Sequence, residues 1–279
     1  LKRSGACFSP HMRRASGRYL CFVDGDDFID AAFLKHLLDA SDRGASDLTV
    51  AGKLFCDRFP PDKIPALPTC GIFLRREFPL KNNLEFPEGI HPCEDGLFSH
   101  FVLALTEKIS FCPEAVYHYR QHEQGNHHQI RKRTADILPM IPRWLSLIEE
   151  FYEQRHLWKR KAGHLVRFIE HEPFELRLLG MPFSPPEQEI LYSIIRDFLT
   201  AHCTAAECRR ASLHLPFRLL LQSSGFSDFG RRLRRAGKNT GIRRKLLHFC
   251  PVPSWRRNGR AQLRQVREQL EEIRRNITF

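Results

Sequence analysis

The chain has 279 residues, 42% of them apolar, and a formal net charge of +12. That length and apolar share suit one large domain or a domain with an appendage. No apolar run approaches the ~20 residues a membrane-crossing helix needs, and Leu1-Lys2-Arg3-Ser4-Gly5 lacks the apolar core of a secretory signal.

Taken in order, the first ordered stretch is Tyr19–Val23, a short apolar run with aromatic and β-branched residues. It reads as a strand buried on both faces. The run stops at Asp24-Gly25-Asp26-Asp27, beyond which Ile29, Phe33, Leu34, Leu37 and Leu38 recur at helical spacing. Asp47–Ala51 is a second strand, and the prolines from Pro60 to Pro68 make a loop. Gly71–Arg76 resumes ordered structure, followed by a polar turn at Lys81-Asn82-Asn83 and a loop at Phe86–Gly89. Leu97, Phe98, Phe101, Val102 and Leu105 define a helix face, which puts Glu94 and Asp95 at that helix's N-terminus. Ile109–Phe111 and Val116–Tyr119 follow as short strands. This alternation predicts an α/β layer architecture to about residue 120.

Beyond Arg131 the pattern is helical. Ile137, Ile141, Leu145, Ile148 and Phe151 mark one amphipathic helix. Leu165, Phe168 and Ile169, then Ile190, Leu191, Ile194, Ile195 and Phe198, mark two more, separated by the break Pro182–Pro186. Leu263, Val266, Leu270 and Ile273 space a terminal helix. The expected divisions are an α/β core at 1–130, a helical extension at 131–225 and a basic tail at 226–279. Phe226–Phe279 holds fifteen Lys or Arg against four Asp or Glu, which leaves residues 1–225 close to neutral. Nine cysteines without a Cys-x-x-Cys pair fit a reducing compartment. Cys203 and Cys208 are the closest two.

Three groups carry chemistry. Asp24, Asp26 and Asp27 sit at the carboxyl end of a strand, where open α/β sheets bind ligands. Three such side chains repel one another unless a cation or proton joins them, and Mg²⁺ or Mn²⁺ is the simplest partner. The plain alternative is a turn followed by a helix cap. Glu94-Asp95 is either a structural cap or a general base aimed at that site. In Tyr117-His118-Tyr119-Arg120-Gln121-His122, Arg120 suits a diphosphate and His122 a further metal ligand. His118, His122, His127 and His128 lack the Cys/His pairing of a structural zinc site, and only His122 is kept as a candidate ligand.

In this order the pieces resemble the family 2 glycosyltransferases. Gly17–Ile29 is similar to that family's strand ending in Asp-x-Asp-Asp. Phe73–Phe78, Asn82–Gly89 and Cys93–Ser99 resemble its following segments, and Val116–His122 its closing Tyr-x-Tyr-Arg motif. The resemblance spans roughly residues 13–130. It implies a GT-A (Rossmann-like) core, a nucleotide-diphospho-sugar donor and transfer with inversion to an acceptor hydroxyl, on a glycan or lipid-linked acceptor of the cell surface. By the same resemblance Asp26 holds the metal most directly, Asp24 acts through the ribose or a metal-bound water, and Asp95 is the base with Glu94 beside it. Two departures concern donor binding. The family's opening β-α-β segment is expected to be missing, and Cys7-Phe8-Ser9 stands where the family has Ala-Arg-Asn, although Ala15 and Gly17 are retained.

The basic tail reads either as a solvated extension or as an attachment to an anionic membrane surface. The second reading puts the protein in the cytoplasm, peripheral at the inner face of the plasma membrane. The rival functions are a non-catalytic relic acting as a binding protein, or nucleic-acid binding through the arginine-rich tail. Against the latter, residues 226–279 contain no recognised nucleic-acid module.

Overall fold

The structure is a computed structural model that describes residues 5–60, 62–120, 133–211 and 214–248, together with Arg264 and Glu268. His122 and the terminal leucine-spaced segment therefore lie outside the described residues. The chain divides into two compact units, Leu1–Phe168 and Ile169–Phe279.

The first unit is built on a four-stranded mixed sheet of β1 (Tyr19–Cys21), β3 (Leu48–Ala51), β4 (Ile72–Arg75) and β5 (Ile109–Cys112). The strand order is β1-β4-β3-β5. Only β3 and β5 run parallel, and β4 is antiparallel to both β3 and β1. A separate ribbon pairs β2 (Phe28–Ile29) with β6 (Tyr117–His118), with Phe28 opposite His118 and Ile29 opposite Tyr117. β3 lies between two neighbours and all four of its residues are buried. β1 departs from expectation. Among the described residues it pairs only with β4, and Tyr19 and Cys21 are half-buried rather than enclosed on both faces. The apolar run is longer than the strand because Phe22 leaves the ladder to enter the core.

Five helices of this unit matter here: α1 (Gly5–Arg14), α2 (Phe33–Gly44), α3 (Lys53–Arg58), α4 (Glu77–Lys81) and α5 (Glu94–Leu105). α1 is not apparent in the sequence, since Gly5 and Pro10 are poor helix formers. Ser9 anchors it by accepting the Phe86 N–H at 3.0 Å. α2 begins at Phe33, because Ile29 belongs to β2. It turns Phe33 and Leu37 into a core with Ala51, Phe73 and Cys112, and leaves Leu34 and Leu38 exposed. α5 is buried continuously from Gly96 to Ala104, so it is a core helix rather than a one-faced surface helix.

Its polar residues are bonded inside that core. Ser99 accepts the Leu67 N–H at 2.8 Å. His100 Nδ1 lies 3.0 Å from the Pro65 carbonyl and Nε2 lies 3.0 Å from the Tyr152 hydroxyl, while its ring stacks on His164 at 4.2 Å. Tyr152 comes from the helix Met140–Gln154, which also buries Trp144 and Ile148.

The second unit is helical: Glu170–Leu179, Pro185–His202, Ala205–Arg210, Leu215–Gln222 and Phe226–His248. Phe174, Phe217 and Phe229 form its aromatic core with Tyr192, whose hydroxyl is 2.7 Å from the Ser223 hydroxyl. The sequence marks some helix starts well. Thr204 and Glu207 form a reciprocal capping box, with Glu207 accepting the Thr204 N–H at 2.8 Å. The prolines read as a break form the first turn of the helix at Pro185, where a missing N–H costs no bond. Among the described residues no helix is long and apolar enough to cross a membrane.

The buried histidine pair makes stability depend on pH. Burial holds His100 down to about 3, against the opposing hydrogen bond to Pro65, and burial first also holds His164 well below its ordinary 6.5. Both stay neutral in the fold while the unfolded chain takes up protons near 6.5. Stability is therefore full above 6.5 and falls as pH drops from there toward about 3. Urea unfolding should show a lower midpoint at about pH 5 than at about pH 7.5, with a loss on the order of 1–2 kcal/mol per histidine. His164→Phe, which has no proton to gain, should lose less over that interval. An equal loss in the variant would remove the histidine pair as the cause.

Candidate functional site

β1 delivers the chain to the acidic turn, and an aromatic cluster fixes its exit. Phe22 packs edge-on against Phe86 and Phe98, with centroids 5.7 and 6.5 Å away, and Phe86 stacks on Phe98 at 4.1 Å. Phe22 lies two residues before Asp24, and Phe98 lies one helical turn after Asp95. The same apolar contacts therefore anchor both acidic features.

The turn is closed by the Asp27 N–H donating to the Asp24 carbonyl at 3.1 Å. β6 then locks it. The Tyr117 hydroxyl donates to Asp27 Oδ2 at 2.7 Å and accepts the Asp24 N–H at 3.1 Å, while the Arg120 N–H donates to Asp27 Oδ1 at 2.8 Å. Both oxygens of half-buried Asp27 are thus engaged, whereas Asp24 and Asp26 are exposed. Partial burial and then the charges of Asp27 and Asp26 raise the Asp24 pKa. Tyr119 is raised by burial and then by Asp27, Asp26 and Asp24.

Asp95 lies in the first turn of α5, directly after Glu94. Its Oδ1 accepts the Gly96 N–H at 2.8 Å, so it serves the helix start. The preceding Cys93 has φ 89°, a left-handed conformation that costs a non-glycine residue about 1–3 kcal/mol and is held by its surroundings. Cys70, just before β4, marks where the two acidic features meet. Its thiol is pushed up to about 12, by burial first and then by the charges of Asp24, Asp95 and Asp27.

The structure therefore holds Asp24, Asp26 and Asp27 on one turn, and Asp95 in the first turn of α5, with Cys70 sensing the charges of Asp24, Asp95 and Asp27. Glu94 is set differently: it is buried, with Oε1 3.1 Å from His91 Nδ1. Arg120 reaches the turn through its backbone N–H, and its side chain is exposed. His118 stacks on Phe28 at 4.3 Å and lies 2.7 Å from Asp30 Oδ1, a structural setting. Sequence reasoning missed two participants, the Tyr117 hydroxyl and the Cys70 thiol.

No family model matches this sequence, and no curated protein matches it. Solved structures do. Residues 1–349 of S. aureus TarS superpose with a TM-score of 0.52 at 17% identity, covering 99% of this chain and 72% of that one. A longer S. aureus TarS structure gives 0.48 at 20% identity over 77% of this chain and 39% of that one. The 1–349 fragment in complex with UDP-GlcNAc gives 0.40 at 16% identity, over 97% and 72%. The first likeness shows the fold: a mixed α/β sheet with a helical C-terminal region, consistent with a GT-A-like core.

The lock on the turn is testable by itself. Tyr117→Phe leaves the Asp27 carboxylate and the Asp24 N–H without their shared partner. It should cost about 1–2 kcal/mol in urea unfolding. An unchanged midpoint would show that the hydroxyl does not hold the turn.

Proposed function

We propose that the chain is a glycosyltransferase of the family 2 type. It moves a sugar with inversion from a nucleotide-diphospho-sugar to an acceptor hydroxyl of a cell-surface glycan or lipid-linked acceptor. The observation that supports this is the bonded acidic turn at the end of β1, with Asp24 and Asp26 exposed and Asp95 in the first turn of α5, on a core similar in fold to TarS. S. aureus TarS is itself solved with UDP-GlcNAc.

The donor set fits a divalent cation. Asp24 and Asp26 offer hard oxygen ligands on an exposed turn, and the raised Asp24 pKa reflects burial first and then the repulsion of Asp27 and Asp26, which a cation relieves. Mg²⁺ or Mn²⁺ bound there supplies charge stabilisation for the departing diphosphate. The chain's own residues do the rest. Asp27, bonded on both oxygens, positions the turn. The exposed Arg120 guanidinium pairs with diphosphate oxygens. Asp95 takes the proton of the acceptor hydroxyl as that oxygen attacks the anomeric carbon from the face opposite the leaving group. Glu94, hydrogen-bonded to His91, supports the helix start beside it, and His122 is a candidate further ligand.

Residues 226–279 carry the basic charge that would draw the enzyme, in the cytoplasm, to an anionic membrane face. The raised Asp24 pKa also means that protons compete with the metal at a higher pH than at an ordinary carboxylate.

The test is release of nucleoside diphosphate from a panel of nucleotide sugars with Mn²⁺ present. Asp95→Asn should lower turnover about 10²–10⁴-fold while leaving donor binding intact. Turnover unchanged in that variant would overturn Asp95 as the base, and a panel with no turnover in the folded chain would overturn the activity.

A further inference from the structure

In the second unit the segment Glu170–Leu179 is a π-helix, a form that is rare over such a length. Pro173 gives a physical reason. It has no N–H to donate, and its ring crowds the carbonyl four residues back, so the regular turn cannot close and widens. A turn closed five residues apart brings Glu170 and Glu175 onto one face. Regular α-helical winding would separate them around the axis.

A third side chain comes from elsewhere in this unit. His214 precedes the helix Leu215–Gln222 in extended conformation, and its N–H donates to Glu170 Oε1 at 2.7 Å. That bond fixes the histidine over the two glutamates. Its Nδ1 lies 2.8 Å from Glu175 Oε1 and 3.4 Å from Glu170 Oε1. One ligand atom from each of Glu170, Glu175 and His214 lies within 4.8 Å of the others. Glu170 is buried, Glu175 half-buried and His214 exposed. The second oxygen of Glu175 is 3.4 Å from His171 Nδ1, the kind of outer partner that orients a ligating carboxylate.

We propose that Glu170, Glu175 and His214 form a binding site for a divalent transition metal of the zinc class. An imidazole among the donors favours zinc, iron, nickel or copper over magnesium, calcium or manganese. Metal–ligand bonds of about 2.0–2.1 Å at tetrahedral angles put neighbouring ligand atoms about 3.3 Å apart, close to the two His214 separations already in place. Three protein ligands with one exposed member leave a position open to water, the pattern of a zinc site that is not sealed. The metal takes the place of the proton that His214 shares with Glu175, and that proton leaves to solvent. The site ties the segment at His214 to the π-helix. It concerns residues 169–279 alone and stands whether or not the chain transfers sugars.

The experiment uses the full chain carrying Asp24→Asn and Asp26→Asn, which silences the strand-end acids, after removal of metal with a chelator. Zn²⁺ is titrated by calorimetry and Co²⁺ by absorption. The expected result is one equivalent of tight binding, with visible cobalt bands and no thiolate-to-cobalt band in the near ultraviolet. Binding should weaken at least about tenfold in Glu175→Gln and again in His214→Ala. Glu175→Gln preserves shape and His214 is exposed, and circular dichroism checks that each variant is folded. Three results would overturn the proposal. One is the absence of binding, which makes the cluster an ion-pair clamp. Another is binding unchanged in both folded variants. The third is a thiolate band that moves the metal to cysteines such as Cys203 and Cys208.

Discussion

The contact on which the candidate site depends is apolar. Phe22, Phe86 and Phe98 pack against one another between the end of β1 and the first turn of α5. Aromatic burial of this kind is worth several kcal/mol and is non-directional in origin, yet edge and stacked geometries fix which faces meet. Here the result is positional. Asp24 follows Phe22 by two residues and Asp95 precedes Phe98 by three, so one aromatic cluster anchors both acidic segments. Carboxylates within the turn repel one another and would not assemble by their own attraction. The apolar core supplies free energy that holds the segments in place.

A second layer makes the turn specific. Tyr117 uses one hydroxyl to donate to Asp27 and to accept from the backbone of Asp24, and the chain two residues beyond β6 adds the Arg120 N–H. These bonds divide the three aspartates into one that is spent on structure and two that are exposed. The division follows from satisfying buried polar groups first. It leaves Asp24 and Asp26 exposed on the turn that Asp27 braces.

Much of the first unit was legible in the sequence, and the reasons differ by element. β3 read as a strand and β4 as an ordered segment because short apolar runs ended in clear breaks. α5 read as a helix, and its start at Glu94 placed Asp95 correctly. Its burial all round was less visible, because Ser99 and His100 look polar until their partners at Leu67, Pro65 and Tyr152 are seen. β1 was read as fully enclosed because a run of apolar residues does not say how many neighbours a strand has. α1 was hidden by Gly5 and Pro10, whose local preferences are outweighed by tertiary contacts such as the one at Ser9. In the second unit the helix Pro185–His202 followed its periodicity, whereas Ala205–Arg210, Leu215–Gln222 and Phe226–His248 carried no pattern read as helical. The π-helix followed no such period, since Pro173 widens the turn and Glu170 and Glu175 come together at a spacing that α-helical patterning does not look for.

The acidic turn is where sequence, packing and proposed chemistry join. Calorimetry of the chain with nucleoside diphosphates, with and without Mn²⁺, tests that junction most directly. The account predicts binding that requires the metal and disappears in Asp26→Asn. Binding that needs no metal, or that survives Asp26→Asn unchanged, would contradict it.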